Sequence, residues 1–317
     1  MSIGHTEIRV SGRTVHVLSA KIDDRTVITK GKLFKIAAVH DEELREDETI
    51  ADPESFISQL KEVGLSADIF TFSQNLPAIT PKYSYHLELD NFAVIPIKTF
   101  SDWWENRIES SVRRAVKKAG KVGVVVKLAE FDDAFVEGIV RLYNETPIRR
   151  GKPFWHYGKS FDTVKYENST YPGRNGFLGA YYNGELIGFI RMIYAGSVAH
   201  IIQQLTMAKH YDKRVANALI AKAVEVCEKK GISHLTYCNY VYHDPGSSMT
   251  EFKRRNGFQQ VFLPRYYIPL TLKGRIVLRL RLHRGFIKLI PKPIVIRLLR
   301  LRGLWYARKL KAVEESL

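Results

Sequence analysis

The stretch QLTMAKHYDKRVANALIAKAVEVCEKKG, residues 204–231, holds two periodicities in one run. Up to Met207 it continues VAHIIQQLTM (198–207), an aliphatic, β-branched strand. From Lys213 onward apolar residues recur at helical spacing as far as Gly231, a natural residue to follow a helix C-terminus. A strand that feeds directly into a long helix sets the helix's unpaired amides and positive dipole end at the strand tip, where anions bind.

The surrounding sequence completes a layered domain. FLGAYYNGELIGFIRMIY (177–194) reads as a β-hairpin, with Asn183-Gly184 supplying the positive φ angles of a tight turn. After the long helix, SHLTYCNY (233–240) is a short strand, SSMTEFKRRNGF (247–258) a helix ending at Gly257, and QQVFLPRYYIPL (259–270) a last strand. Before the hairpin, DDAFVEGIVRLYNETPIRRGK (132–152) is a helix closed by Pro147, and the loop PIRRGKPFWHYGKSF (147–161) is too long for a simple connector. The order β-β-β-α-β-α-β, preceded by helices, describes an α/β domain with a mixed sheet.

The first half is less regular. Residues 1–50 read as short strands running into the charged turn HDEELREDETIADPES (40–55). SFISQLKEVG (55–64) is a short amphipathic helix, ADIFTFSQNLP (67–77) a buried strand and YSYHLELD (83–90) another. Ser101 is placed to N-cap a helix running to Gly120, followed by the β-branched strand VGVVVKLA (122–129).

A hydrophobic fraction of 45% and a charged fraction of 26% are those of a globular chain. The net charge of +16 is local: residues 273–311 hold 13 Lys/Arg and no Asp/Glu, leaving 36 basic and 33 acidic residues elsewhere. Cys227 and Cys238 have neither disulfide-framework nor metal-ligand spacing and read as reduced packing residues. No nucleophile elbow, metal-ligand motif or intact P-loop appears, so hydrolase, kinase and metalloenzyme readings lack support.

Three segments between residues 129 and 270 resemble the GNAT acyltransferase superfamily: the hairpin YYNGELIGFI, the junction QLTMAKHYDKRVANALI and the corner FKRRNGF. The resemblance implies a strand splayed from its neighbour, with the donor's acyl and pantetheine part in the gap and its pyrophosphate at the helix start. Acetyl-CoA or another acyl-CoA is the implied donor, with no metal. The family's phosphate loop, Q/R-x-x-G-x-G/A, is matched to Lys213, Arg214, Val215, Ala216, Asn217 and Ala218. Lys253 stands where many GNAT enzymes carry a tyrosine that protonates the leaving thiolate. RIESSVRRAVKKAGKVGVVVK (107–127) and EFKRRNGF (251–258) are similar to segments of the Fem-type peptidoglycan aminoacyltransferases, which are built from two GNAT-like halves. The expected architecture is a GNAT-like half over 1–128, a GNAT domain over 129–272 and a basic helical tail over 273–317.

Acyl transfer to an amine needs an oxyanion stabiliser, a base and alignment of the reactants. The resemblance places the stabiliser, a backbone amide, near Leu205, Thr206 or Met207. Candidate bases are Glu145, His156 and His200; Glu145 is preferred because it ends a helix beside the basic-aromatic loop, and His200 reads as a core residue. Asn239 is placed facing the donor. Arg149, Arg150, Lys152, His156, Tyr157 and Lys159 form a candidate lid for an anionic substrate.

Three functions remain open at this stage. One is acyl transfer from acyl-CoA to a small-molecule or envelope-precursor amine. Another is Fem-like transfer from aminoacyl-tRNA, and the last a silent GNAT fold that only binds. The N-terminus shows no apolar signal-peptide core, and the expectation is a cytoplasmic protein. The tail, with Leu and Ile interleaved among cations and Trp305 and Tyr306 near its end, is a candidate for contact with an anionic membrane surface. Packing on the domain and contact with nucleic acid are the other readings of the tail.

Overall fold

The computed structural model describes residues 3–10, 13–149, 152–242, 244, 246–284, 297 and 301. Arg150 and the greater part of the basic tail lie outside the described residues. The described residues form two compact units: one comprises 3–90 together with 262–284, 297 and 301, and the other runs from Asn91 to Val261.

In the first unit the strands Ile3–Val10, Arg13–Ile22, Arg25–Lys30 and Ile36–Val39 pair antiparallel in succession. The helix Pro53–Glu62 follows, capped by the Asp52 side chain, which accepts from Ser55 N at 3.1 Å. The chain then returns as Ile69–Ser73, parallel to Ile36–Val39, and Gln259–Pro269 closes the order antiparallel to Ile69–Ser73. Phe70, Phe72 and Tyr266 are buried at its centre. Arg265 lies between the Glu42 and Asp90 carboxylates, and Glu42 also accepts from Ser73 N.

The second unit repeats this order. Val125–Ala129, Asn175–Tyr182, Glu185–Ala195 and Val198–Thr206 are antiparallel neighbours. The long helix Val215–Lys229 then leads to His234–Thr236, parallel to Val198–Thr206, and residues Val94 to Pro96 of the strand His86–Pro96 close the order antiparallel. Leu219, Ile220, Ala223, Val224 and Cys227 bury one face of the long helix against the sheet. Burial pushes the Cys227 thiol up to about 12, so it serves packing.

Three expectations change. The units divide at 90/91 and 261/262 rather than 128/129, because Val125–Ala129 pairs with Asn175–Tyr182 and so belongs to the second sheet. The helix expected from Ser101 to Gly120 is broken. Its start is capped by Thr99, whose side chain accepts from Asp102 N; a π-helical turn, Trp103–Arg107, and an extended Ile108 precede the helix Ser110–Lys121. The break lets Trp103 and Ile108 both turn inward, with Trp103 Nε1 donating to Asn256 O at 3.1 Å. The first residues of the tail, Leu272–Arg279, form a helix of the first unit. Among the described residues no helix is long and apolar enough to cross a membrane.

Arg265 gives the first unit a measurable weak point. Arg265→Met leaves the buried Glu42 carboxylate without its cation and should destabilise the protein by about 3–5 kcal/mol. The urea midpoint of the variant checks this.

Candidate active site

Val198–Thr206 pairs with His234–Thr236 only through Val198, Ala199 and His200. Beyond them the two strands part, while the other edge of Val198–Thr206 stays paired with Glu185–Ala195 as far as Thr206. A bulge opens this stretch: Arg191 faces Gln203 and Met192 faces Ile201, leaving Ile202 extra. Met207 N donates to Ile187 O at 2.9 Å, so antiparallel alternation directs the backbone of Gln204 and Thr206 to the open side. Thr206 O fits this, accepting from Arg149 Nη1 at 2.9 Å across the gap. Of the expected oxyanion positions, Met207 is therefore occupied and Leu205 faces Phe189, which leaves the Thr206 amide.

The gap is a cavity of about 480 Å³ lined by Gln204, Leu205, Thr206, His210, Val215 and Tyr237, among others. Glu145 does not stand in it as a free base. Its carboxylate accepts from Ala208 N at 2.7 Å, Lys209 N at 2.9 Å and Arg149 Nη2 at 2.9 Å. Glu145 and Arg149 thus clamp the turn that follows the splayed strand. Arg149 lines the cavity as well, and its guanidinium also reaches Leu142 O and lies over the Phe154 ring.

The helix start carries the second feature. Arg214 has φ 60° and ψ 31°, the left-handed conformation that favours glycine, and it precedes a helix with no side-chain cap and no acid in its first turn. The left-handed residue at this helix start is thus Arg214, two positions before Ala216, the residue matched to the first glycine of the family's loop. Ala218 turns into the core, and Lys213 lies over the Tyr182 ring beside Asp212. Asn217 donates to Asn256 Oδ1 at 3.1 Å, tying the long helix to the FKRRNGF corner.

Arg214 and Asn217 also line a second cavity of about 590 Å³, walled by the helices Ser110–Lys121 and Ser248–Arg255. Arg114, Lys118 and Arg255 face it. Glu251, held down at about 2 by Arg254 and Arg255, keeps its charge paired with them. Arg114, Lys118 and Arg214 make no ion pair among the described residues, so the groove is positive where it meets the helix start.

Lys253 is fully buried outside both cavities. Its ammonium donates to Asn239 O and lies 4.8 Å from the Tyr237 ring centroid and 4.9 Å from that of Tyr242. Desolvation lowers its pKa to about 8. Its ammonium thus ties the helix Ser248–Arg255 to the turn after His234–Thr236. Asn239 is exposed and contributes its carbonyl to that bond.

The expected lid is partly dismantled. Lys159 is bound to both oxygens of Glu167, and His156 packs on Tyr143 at 4.3 Å between ring centroids. Lys152 and Tyr157 remain exposed. His200 donates to or accepts from Thr236 Oγ1 at 2.9 Å, and burial depresses it to about 4, so it is the core residue expected.

His210 was missed. It lines the first cavity with its ring 13% exposed, neither ring nitrogen makes a hydrogen bond, and Nε2 lies 3.8 Å from Glu185 Oε2. Nothing in sequence spacing marks it, because the kink at His210 (φ −117°) that turns it inward is tertiary. For metals, the one candidate group among the described residues is His86, Glu88 and His283, whose ligand atoms lie within 4.8 Å of one another. Glu88 there already accepts from His283 at 2.7 Å and Arg284 at 2.8 Å. Sequence spacing does not mark this group, since His283 lies far along the chain from the other two.

Comparison with known proteins bears on the fold. Residues 136–258 match the family model described as acetyltransferase (GNAT) family. A spermidine N(1)-acetyltransferase of Thermoplasma acidophilum is 29% identical over 83 residues, 26% of this chain and 50% of that protein. The chain thus spans about half the length of the curated relative it matches. FemX superposes with TM-score 0.56 at 10% identity, covering 83% of this chain and 88% of its own. The C-terminal domain of a putative lysylphosphatidylglycerol synthetase from Agrobacterium fabrum gives 0.52 at 11% identity, covering 80% and 84%. These last two are likenesses of fold. The fold is therefore α/β of GNAT type, with the strand-and-helix order of the second unit repeated in the first. The likeness to the GNAT acetyltransferase family thus covers residues 136–258, within the second unit.

Lys253 provides a pH test of the corner. A lysine that loses its proton near pH 8 when folded, and near its ordinary 10.5 when unfolded, binds fewer protons in the folded state between those values. Stability should therefore rise from about pH 8 to about pH 10.5 relative to Lys253→Met, whose denaturation midpoints should lack that component.

Proposed function

We propose that the second unit transfers an acyl group from an acyl-CoA to an amine by direct attack. The observation that carries this reading is the open backbone edge at Gln204 and Thr206, which runs into an uncapped helix start and a positive groove. The acyl and pantetheine part lies along that edge. The phosphates meet the amides of Val215 and Ala216 and the cations Arg114, Lys118 and Arg214.

In the reaction the amine nitrogen bonds to the acyl carbon, and the Thr206 amide donates to the oxyanion as it forms. His210 takes the amine's proton, and the C–S bond breaks with the sulfur leaving as thiolate. Glu145 and Arg149 are positioning residues, holding the Thr206–Lys209 turn. The acceptor is a small-molecule or envelope-precursor amine. The relative named as a spermidine acetyltransferase favours the first, and the FemX-like fold is compatible with the second.

Arg214 favours a second reading. With an arginine in the left-handed position, a side chain stands at the helix start, where a pyrophosphate needs bare backbone. An aminoacyl-tRNA ester would place its acyl group in the same gap and its phosphates along the wider groove.

Calorimetry with acetyl-CoA, longer acyl-CoAs and charged tRNA distinguishes these readings. Binding of CoA esters, weakened at least ten-fold in Arg114→Ala/Lys118→Ala, supports the first. Salt-sensitive binding of charged tRNA without CoA binding supports the second, and binding of neither leaves a silent fold. Where turnover is seen, His210→Gln should lower kcat by about 10²-fold with little change in KM. An unchanged kcat removes His210 as the base.

A further inference from the structure

We propose that the first unit docks on an anionic lipid bilayer through the helix Leu272–Arg279 and the turn at residues 30–35. The inference is independent of the acyl-transfer reading. Leu272, Ile276 and Leu280, spaced four apart, form one stripe along the helix and are 75%, 58% and 58% exposed. The opposite side is docked: Gly274, Val277 and Leu278 are buried, and Val277 and Leu278 pack with Ile69.

Several contacts fix that orientation. A Cβ on Gly274 would lie 1.9 Å from Asp68 O, so the helix rests directly on backbone. Asp68 also accepts from Thr271 Oγ1 at 3.0 Å, Lys35 N at 2.9 Å and, through its carbonyl, Leu270 N at 2.8 Å. Beyond the helix, Glu88 accepts from His283 and Arg284. The helix is held at both ends with its aliphatic stripe outward.

Asp68 joins this helix to a second exposed leucine. Leu33, 71% exposed, sits in the turn that Asp68 holds through Lys35 N, between Lys30, Lys32 and Lys35. Lys273, Arg275, Arg279 and Arg281 flank the helical stripe and are exposed. The sequence from Lys273 to Lys311 contains no acid. Four aliphatic side chains set among seven cations match a bilayer surface, where aliphatic groups enter at headgroup depth and cations meet lipid phosphate. Nucleic acid would use the cations and leave the leucines in water. A second copy of this face would bring like charges together.

The test uses the full chain and co-sedimentation with phosphatidylcholine vesicles, with and without phosphatidylglycerol. The expected result is partition onto the phosphatidylglycerol vesicles, weakened by salt, with little onto phosphatidylcholine alone. Ile276→Glu/Leu280→Glu and Leu33→Glu replace exposed side chains, so Tm should hold while partition falls at least ten-fold in the double variant. Acyl transfer to a soluble amine should not change in either, which separates this inference from the proposed reaction. The inference is overturned if the wild-type chain stays in the supernatant with anionic vesicles, or if the double variant sediments as the wild type does. It is equally overturned if a homopolymeric RNA is bound with the same affinity by wild type and double variant while vesicles are not.

Discussion

The Glu145–Arg149 pair is the constraint on which the candidate site depends. A strand that leaves its neighbour frees backbone donors and acceptors, which then take side chains or water as partners. Glu145 satisfies the amides of Ala208 and Lys209, and Arg149 satisfies Thr206 O, so the strand tip is held apart from His234–Thr236 instead of closing onto it. The clamp holds the turn through which the chain reaches His210 and the start of the long helix. An ion pair with each side chain about one-tenth exposed is well suited to this, because its charges are screened little and both partners are hydrogen-bonded.

The two units show what the same order of elements does with and without such a gap. In the first, Ile36–Val39 is so short that its parallel pairing, through Ile36, Ala37 and Ala38, uses nearly all of it. Its helix is capped by Asp52, with Pro53 and Glu54 in the first turn, so the positive helix end already has its anion. In the second, the strand outruns its parallel neighbour, and the helix begins at an arginine with no cap. By these measures the positive helix end is neutralised within the first unit and left open in the second.

Buried charge is handled differently in each as well. Arg265 is matched by two carboxylates, an arrangement that is costly to break and contributes little net stability beyond its desolvation. Among the described residues Lys253 meets a carbonyl and two aromatic rings and no carboxylate, and the cost of burying it appears as a lowered pKa. A lysine in that environment fixes a turn at the price of stability near neutral pH.

The sequence by itself determined most of the element types and the α/β order, and it singled out residues 204–218 as a candidate site. Those follow from periodicity, from Asn183-Gly184 and Gly231, and from the strand-to-helix junction, all of which are local. It also located the charge excess in the tail. Tertiary structure decided the rest. Which amide is free depends on a bulge at Ile202 and the pairing register with Glu185–Ala195. Whether Glu145, Arg149, Lys159 and Lys253 are free to act depends on partners brought from elsewhere in the fold, and each proved to be engaged. His210 acquired its place from a kink, and Leu272, Ile276 and Leu280 became an exposed stripe only because Gly274 lies on Asp68. A side chain's type is written in the chain, but its availability is set by its neighbours in space.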